Sequence, residues 1–366
     1  MIRKPDGGPR TAAPYNAPMQ TTYRGRQAVS IENDDLRVTV LSGGGHLAEI
    51  FDKRAGVNPL WTPPWESIEP SQYDPRRHPE YGGTVESSLL AGIMGHNLCL
   101  DIFGGPSDDE ARAGLPVHGE VSTADFDIGD AGDSIVMRAS LPRARLLVER
   151  RIELRGRAVW IRETVQNPGG VDKPVGWTEH VTLGPPFLQK GRTQFRASVT
   201  RSRVFESPFG AGDYLRTGAD FDWPQAPRID GGTADLRVFT DAPVSSAYTA
   251  HLTDPARADS FFLAYSPDAR LAFGYVWRRK DFPWLGIWEE NLSRVQPPWN
   301  SQTLTRGMEF GVSPFPETRQ AMIDRGRLFD TPGFRWIPAG SQVSVEYFCV
   351  SAVTNAIPET LEWPAN

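Results

Sequence analysis

The sequence is poor in cysteine, in excess positive charge and in long apolar runs. Only Cys99 and Cys349 occur among its 366 residues, so we expect two reduced, mostly buried thiols and no disulfide framework. A net charge of -6 and a pI near 5.6 provide no polybasic face for nucleic acid. No apolar run reaches the roughly 18 residues of a membrane span. A secretory signal requires an apolar stretch after its charged N-terminus, and none follows here. These absences predict a cytoplasmic protein with neither a nucleic-acid nor a membrane partner.

Several catalytic and cofactor signatures are also missing. There is no Gly-x-Ser-x-Gly elbow, no phosphate-binding Gly-x-x-x-x-Gly-Lys loop and no Gly-x-Gly-x-x-Gly turn. The order His118-Gly119-Glu120 is that of a zinc deaminase, but the Pro-Cys-x-x-Cys that completes such a site is absent. The spacing of His78, His96 and His118 gives no support to a metal site. We therefore expect neither a metal nor a cofactor.

Glycine (35 residues) and proline (32 residues) are abundant, which indicates many turns between short strands. Leu36, Val38 and Val40 alternate with polar residues, as in a half-buried strand. Residues 145–154 and 158–166 read as a hairpin, and residues 125–128 with 134–139, and 261–265 with 270–277, follow the same pattern. Helix signals are confined to a capping box at Ser107 and to residues 316–325. This pattern predicts an all-β fold, a large antiparallel β-sandwich with a few short helices.

The domain organisation is expected to be simple. Residues 1–27 are polar and rich in Pro and Gly, which predicts a flexible N-terminal arm. No repeat or linker divides residues 28–366, so they are predicted to form a single β-sandwich domain. Residues 62–117 interrupt the hairpin pattern, and we expect a long irregular loop there that builds one wall of a site.

Three short segments place His118, His180 and Glu309 among Gly, Pro and aromatic residues. Apolar neighbours of Glu309 should raise its pKa and make it a better base near neutral pH. Imidazole is well suited to donating a proton in the same range. Each residue alone also fits a structural role, as an outward-facing strand Glu or a core His. Together they predict one acid–base site.

Aromatic residues suggest what such a site binds. The chain has 11 Trp residues, and the apolar C–H face of a sugar ring stacks well on an indole. Trp288 lies shortly before Glu309 in the chain, although it could instead fill the core. Asp222 and Trp223 offer a carboxylate and an aromatic ring on one loop.

The ordered series of segments resembles the aldose 1-epimerase (galactose mutarotase) family. A Leu-Pro-x-His-Gly segment holds His118, and a Thr-x-His before Gly-Pro-Pro-Phe holds His180. A Leu-x-Ile-Trp strand ending at Trp288 follows, and then a Glu309-centred strand that leads into a Pro-rich loop. The resemblance implies a large antiparallel β-supersandwich over nearly the whole chain.

The resemblance also implies a mechanism without a cofactor. Glu309 would be the base that takes the proton of the anomeric hydroxyl, and His180 the acid that protonates the ring oxygen. His118 would hydrogen-bond the sugar near that oxygen. The ring would open to the aldehyde and close again as the other anomer.

Departures from the family pattern leave the substrate open. Galactose mutarotases have an Asn-Arg pair ahead of the first histidine, where this chain has His96-Asn97, and we expect both residues at the substrate. Asp222 is a candidate for the family's hexose-contacting aspartate, and Arg77 for binding a sugar phosphate. The expected partner is a sugar or sugar derivative, and the expected state is a monomer or homodimer. A non-catalytic carbohydrate-binding protein and a lyase or other glycoside-processing enzyme on the same scaffold are the alternatives.

Overall fold

Two large antiparallel β-sheets pack face to face in the computed structural model, which describes residues 17–130 and 132–363. In spatial order, the 12-stranded sheet contains β1 (Met19–Tyr23), β2 (Arg26–Glu32), β3 (Leu36–Leu41), β4 (Leu47–Asp52), β5 (His96–Asp101), β10 (Lys173–Leu183), β20 (Leu304–Gly311), β19 (Trp284–Asn291), β16 (Ser245–Thr253), β12 (Val199–Val204) and β13 (Asp220–Asp222), with β23 (Arg335–Ile337) on the end of β10.

The second sheet has eight strands. In spatial order they are β11 (Gln194–Ala197), β17 (Asp259–Ser266), β18 (Leu271–Arg278), β24 (Gln342–Val353), β9 (Ala158–Gln166), β8 (Leu146–Arg155), β7 (Ser134–Leu141) and β6 (Asp127–Asp130). Two small ribbons pair β14 (Gln225–Pro227) with β15 (Thr233–Asp235), and β21 (Arg327–Leu328) with β22 (Thr331–Pro332). The helices are α1 (Ser87–Leu90), α2 (Asp108–Arg112) and α3 (Arg319–Arg325), with 3-10 turns at 70–72, 79–81 and 120–123.

The predicted all-β architecture is confirmed. The strand expected at residues 158–166 is β9, and it pairs in register with β8 across a turn at Gly156. The capping box at Ser107 begins α2, and Gly326 ends α3, which starts at Arg319 rather than at residue 316. Local signals were sufficient here because each hairpin and each cap is formed by residues close together in sequence.

Two boundaries differ from expectation. Residues 19–23 form β1, which pairs with β2, so this part of the expected arm belongs to the 12-stranded sheet; residues 1–16 lie outside the described residues. The segment 62–117 is not one irregular loop, because it contains α1, α2 and the sheet strand β5. No helix within 17–130 or 132–363 has both the length and the apolar character needed to cross a membrane.

The main core lies between the two sheets. Val38 of β3 and Met308 of β20 meet Ile161 of β9 and Tyr275 of β18 in one continuous apolar cluster, and all four are fully buried. The two cysteines, Cys99 and Cys349, are buried and unpaired. Because side chains alternate along a strand, central strands of the 12-stranded sheet such as β3, β10 and β20 send every second side chain into this core.

A polar network crosses the core and joins the two sheets. The Arg150 guanidinium on β8 donates to Glu163 on β9 at 2.6 Å and to Glu179 on β10 at 3.1 Å. The Tyr347 hydroxyl on β24 lies 2.8 Å from Glu163 and 2.7 Å from Glu179. Burial raises the pKa of Glu163 to about 7. One guanidinium thus balances two carboxyl groups in the centre of the sandwich.

The outer face of the 12-stranded sheet is also apolar. A second group of buried side chains, the outer cluster, covers its central strands; its members are Trp61, Leu89, Leu90, Ile93, Cys99, Phe103, Val117, Tyr248, Ala250, Leu252, Trp284, Trp288, Trp299, Phe315 and Leu328. The segment that begins with α1 supplies several of these residues. The candidate site lies inside this outer cluster, not between the sheets.

Candidate active site

Three adjacent strands of the 12-stranded sheet, β5, β10 and β20, position the candidate site. Their register pairs His180 with Asn97 on one side and with Glu309 on the other. Side chains directly opposite one another in a sheet lie on the same face, so these three project together into the outer cluster. Glu179, the residue before His180, points to the opposite face and joins the core network.

His180 and Glu309 are in direct contact. The His180 Nε2 atom lies 3.0 Å from Glu309 Oε1, and its Nδ1 atom lies 3.0 Å from the Thr182 hydroxyl oxygen. Within the described residues, Glu309 Oε1 has no hydrogen-bond partner, so the 3.0 Å contact lacks hydrogen-bond geometry. The carboxyl oxygen is therefore buried and, in the part of the ligand-free protein that the structure describes, unpartnered.

His118 reaches the same place from a loop. Its ring centre lies 4.8 Å from that of His180, and its Nδ1 atom lies 3.4 Å from Asn97 Nδ2. Its backbone has φ of 66°, a conformation that few residues other than glycine adopt. A Cβ atom on the following Gly119 would stand 1.8 Å from the Leu100 carbonyl oxygen. Only glycine at position 119 allows the loop to approach β5 this closely. The close approach sets the position from which the His118 ring points into the site.

Two other glycines make room for the polar groups of the site. A Cβ atom at Gly307 would stand 2.3 Å from Glu309 Oε1. Gly286 lies opposite Glu309 on β19, and a Cβ atom there would stand 2.0 Å from the Tyr248 hydroxyl oxygen. The Glu309 carboxyl group and the Tyr248 hydroxyl thus occupy space that the side chain of any residue other than glycine at positions 307 and 286 would fill.

The three predicted acid–base residues line one cavity of about 230 Å³. A cavity of roughly 150 Å³ already holds a six-membered ring such as benzene, so this one accommodates a single small ring. The other lining residues are mostly apolar or aromatic, as is usual for small-molecule sites: Glu86, Leu89, Leu90, Ile93, Phe103, Gly104, Gly105, Val117, Phe209, Tyr248, Trp288, Arg294, Trp299 and Pro316.

Two indole rings form part of the cavity wall. Trp288 packs edge-on against His180 with ring centres 5.7 Å apart, and Trp299 packs edge-on against Trp288 at 6.1 Å. The Arg294 guanidinium lies 4.6 Å from the centre of the Trp299 ring and 3.6 Å from the carboxylate of Glu86. Among the described residues neither indole N–H has a hydrogen-bond partner. Both are buried donors in the wall of the cavity, and such donors need an oxygen partner from water or from a ligand.

Burial separates the protonation states of the two contacting groups. Desolvation raises the pKa of Glu309 to about 8 and lowers that of His180 to about 3, because each favours its neutral form away from water. It also lowers the pKa of His118 well below its usual value. Near neutral pH the contacting pair therefore holds a single proton, which resides on Glu309 in the ligand-free protein.

The structure brings His118, His180, Glu309, Asn97 and Trp288 together, whereas the other predicted substrate-binding residues lie elsewhere. His96 is fully buried on the opposite face of β5, where its Nε2 atom lies 2.9 Å from Glu179 and its Nδ1 atom 3.0 Å from the Tyr275 hydroxyl. The prediction that His96 lies at the substrate was wrong by one residue, because Asn97 and not His96 points to the face of β5 that carries the cavity.

Arg77, Asp222 and Trp223 are also outside the cavity. Arg77 is exposed in a turn whose backbone bonds to Asp74. Asp222 is exposed at the end of the edge strand β13. Trp223 packs edge-on against His251 with ring centres 5.2 Å apart. Expecting these three at the substrate was therefore wrong. For Asp222 and Trp223 the reason is the sheet order, which separates β13 from β20 by three strands, and for Arg77 it is the exposed turn.

Tyr248, Arg294, Trp299 and Phe103 line the cavity but were not predicted from the sequence. Tyr248 comes to the site because β16 pairs with β19 and places it opposite Trp288. Arg294 and Trp299 belong to the connection between β19 and β20. No local spacing marks these residues, because they meet only once the strand order is known.

Comparison with solved structures identifies the fold. A galactose mutarotase-related enzyme from Lactobacillus acidophilus matches with a TM-score of 0.58 and 15% identity over 90% of this chain and 99% of its own. This is the galactose mutarotase fold. A galactose mutarotase-like protein from Clostridium acetobutylicum has a TM-score of 0.59 and 12% identity, over 94% of this chain and 99% of its own.

A further match to the galactose mutarotase fold is a protein from Klebsiella pneumoniae, provisionally named an aldose 1-epimerase. Its TM-score is 0.62 at 13% identity, over 90% of this chain and 80% of its own. No protein-family model matches the sequence, and no curated protein matches it. At these identities the comparisons show a shared galactose mutarotase fold, and the chemistry of the site must be argued from its own residues.

Proposed function

We propose that this protein is an aldose 1-epimerase that interconverts the α and β anomers of a sugar by opening and closing its ring. The observation that supports it most is the meeting of Glu309, His180 and His118 in one cavity for a single ring. That cavity lies in a fold shared with proteins named as galactose mutarotase-related or galactose mutarotase-like.

The proposed reaction needs only one proton accepted and one donated. Glu309 takes the proton of the anomeric hydroxyl, the C1–O5 bond breaks, and His180 gives its proton to O5. Rotation about C1–C2 turns the other face of the aldehyde toward O5. In the reverse sequence, O5 attacks that face and returns its proton to His180, while Glu309 returns a proton to O1. His118 hydrogen-bonds the sugar near O5 and holds the ring in place.

The protonation state suits this exchange. The pair begins with its proton on Glu309, and in the reactive form that proton is on His180 instead. The His180 Nε2 and Glu309 Oε1 atoms are 3.0 Å apart, so a small rotation into hydrogen-bond geometry is enough for this transfer. A desolvated carboxylate is a stronger base than one in water, and a desolvated imidazolium is a stronger acid. The form with a carboxylate and an imidazolium is less populated but more reactive toward a hemiacetal.

Magnetisation exchange between α and β anomers by NMR tests the proposal. We expect the native protein to accelerate exchange for at least one aldose by about 10²–10⁴-fold, the usual contribution of positioned proton transfer. Ligand-induced line broadening without accelerated exchange would instead indicate the non-catalytic carbohydrate-binding protein. In that case the aromatic wall would bind the sugar, and Glu309 and His180 would have no catalytic role.

A lyase has less support from the site. A lyase commonly uses Tyr or Arg beside the bond it breaks, and Tyr248 and Arg294 do line the cavity. Burial, however, raises the pKa of Tyr248 well above its usual value, which makes it a poor base. Arg294 is held between Glu86 at 3.6 Å and Glu290 at 3.5 Å, so an acidic substrate would meet an already neutralised guanidinium.

The activity is expected to fall as the pH rises through about 8. The reactive pair holds one proton in total, and above the pKa of Glu309, about 8, that proton is lost. Since the lower pKa of the pair is that of His180, about 3, kcat/KM should be nearly constant from pH 5 to pH 7 and should decline tenfold per unit well above pH 8. The measurement is the exchange rate against pH, corrected for spontaneous mutarotation. A rate that instead climbs through pH 8 would mean that ionised Glu309 acts without a proton donor.

Replacing Gly307 with alanine is expected to lower kcat/KM at least tenfold. The new Cβ atom would lie 2.3 Å from Glu309 Oε1, so the carboxyl group must move, and small displacements of a catalytic group cost large factors. Gly129→Ala on β6 is the control, because the nearest heavy atom to a Cβ there is 3.9 Å away. Both variants are assayed by anomer exchange. A native rate in Gly307→Ala would place the reacting proton on a group other than Glu309.

A further inference from the structure

The chemistry of the cavity wall beside the histidines extends the proposed function, on which this inference rests. In an aldopyranose, C5 is bonded to the ring oxygen and also carries the exocyclic carbon C6. A sugar whose ring oxygen faces His180 and His118 must therefore place its C6 substituent against the residues that flank these two side chains. What those residues offer decides which exocyclic group is tolerated.

The residues on the His118 side are apolar. Val117 precedes His118 in the chain, and the Phe103 ring centre lies 6.4 Å from that of His118. Both side chains line the cavity and are at least nine-tenths buried. Asn97 lies behind His118 with no exposed surface and is not part of the described lining; its Oδ1 atom has no hydrogen-bond partner among the described residues. The Tyr248 hydroxyl, beyond Phe103, already donates to the Pro314 carbonyl at 3.3 Å. The polar lining residue in contact with this wall is His118 itself, which the proposed mechanism assigns to the ring oxygen.

Aliphatic residues also line the cavity in and just after the helix α1. Leu89, Leu90 and Ile93 form a second aliphatic stretch of the lining and are each at most 5% exposed. Val85 and Val295, which adjoin the Glu86–Arg294 ion pair in the chain, are 48% and 74% exposed. The polar groups of the cavity are instead the acid–base residues, the two indole N–H groups and that ion pair, which suit the ring hydroxyls.

We infer that the substrate is a 6-deoxyhexose, a sugar that has a methyl group in place of the exocyclic hydroxymethyl group. A methyl group fits the wall of Val117 and Phe103, whereas a buried hydroxyl without a partner there is penalised. The ring hydroxyls still have the indoles and the ion pair as partners. The ordinary hexose and its 6-deoxy counterpart differ by one oxygen atom, so they test this wall alone.

The experiment compares matched sugars with the native protein. Anomer exchange is measured by NMR for D-galactose against 6-deoxy-D-galactose and for D-glucose against 6-deoxy-D-glucose. We expect kcat/KM to favour the 6-deoxy sugar at least tenfold in one pair. Equal rates within each pair, or a preference for the hydroxymethyl sugar, would overturn the inference and leave the epimerase intact.

Binding gives a readout that does not depend on turnover. Trp288 and Trp299 line the cavity, so a titration of tryptophan fluorescence with each sugar measures Kd directly. If no sugar is epimerised but the 6-deoxy sugar binds at least tenfold more tightly, the proposed activity fails and the ligand class stands. If no sugar is epimerised and the two sugars of each pair bind equally, both fail.

A single isosteric substitution tests the wall itself. Val117→Thr keeps the shape of the side chain and adds one hydroxyl, so we expect it to lower the preference for the 6-deoxy sugar by at least threefold. Val276→Thr, a fully buried position on β18 in the other sheet, is the matched control and should leave the ratio unchanged. An unchanged ratio in Val117→Thr, with the fold retained, would mean that C6 points elsewhere.

Discussion

Replacing Glu309 with glutamine is expected to make the protein more stable and, at the same time, inactive. The side chain is 2% exposed, and burial raises its pKa from 4.5 to about 8. The unfolded chain therefore ionises this residue at a lower pH than the folded protein does. Between these two pKa values ionisation stabilises the unfolded state only, and at pH 7 the resulting loss of folding stability is on the order of 3 kcal/mol. Glutamine removes this loss while keeping the shape of the side chain.

The pH dependence of the stability gain follows from the direction of the pKa shift. Below pH 4.5, where Glu309 is protonated in both states, the variant should match the native protein. The gain should grow from pH 4.5 to about 8 and then level off. Urea unfolding at pH 4.5, 7 and 8.5 measures it. Anomer exchange should fall to the spontaneous rate, because glutamine can neither accept nor return the proton.

Glu290→Gln is the matched control for this experiment. Glu290 lies on β19 and is also buried, but its carboxylate accepts hydrogen bonds from the backbone of Ser293 and Arg294 and from the Ser293 hydroxyl. Losing that charge should lower the folding stability, whereas Glu309→Gln is expected to raise it. If Glu309→Gln were also destabilised at pH 8, Glu309 would have to be ionised and satisfied in the folded protein, and the pair would lack the single proton that the proposed exchange requires.

Replacing Arg150 with methionine is expected to cause the largest loss of stability. Methionine fills much of the volume but leaves Glu163 and Glu179 facing each other in the core without their guanidinium. Removing one partner of a buried ion pair typically costs about 3–5 kcal/mol. Urea unfolding at pH 7 measures the loss, with Arg138→Met as control, since that arginine pairs with Glu149 at the exposed surface and should cost within about 0.5 kcal/mol.

The loss in Arg150→Met should shrink as the pH is lowered. Burial already raises the pKa of Glu163 to about 7 in the native protein, and removal of the positive charge raises it further. A carboxyl group with a raised folded pKa costs stability above its unfolded pKa and costs nothing below it. The gap between variant and native protein should therefore narrow as the pH falls from 7 toward 4.5. A gap that is the same at both pH values would mean that packing, not charge, holds Arg150 in place.

Much of the fold could be predicted because its hairpins are local. The pairing of β8 with β9 needs only the turn around Gly156 and two alternating runs. The order of the strands within each sheet was not predictable in this way. It depends on long-range pairings such as β5 with β10 and β10 with β20, which no turn encodes.

The site was predictable only where a residue type carried the chemistry. His118, His180 and Glu309 stood out as an imidazole or a carboxylate among Gly, Pro and aromatic residues, and the structure places them together. The same reasoning failed for His96. Alternation shows that neighbouring residues of a strand point to opposite faces, but it does not show which of the two faces carries the site. Tyr248 and Trp299 were missed because an aromatic residue that lines a cavity has the same local sequence pattern as one that fills a core.

The division of labour between strands and connections has an evolutionary consequence. Glu309 and His180 lie on central strands, and the core network fixes the back of β10 through Glu179. Part of the cavity wall comes instead from the segment around α1 and from the connection that carries Arg294 and Trp299. Connections of this kind tolerate replacement far better than central strands do. If the proposed function holds, we expect relatives that act on other sugars to differ in the segments around residues 84–93 and 292–301 and to keep the pair formed by Glu309 and His180.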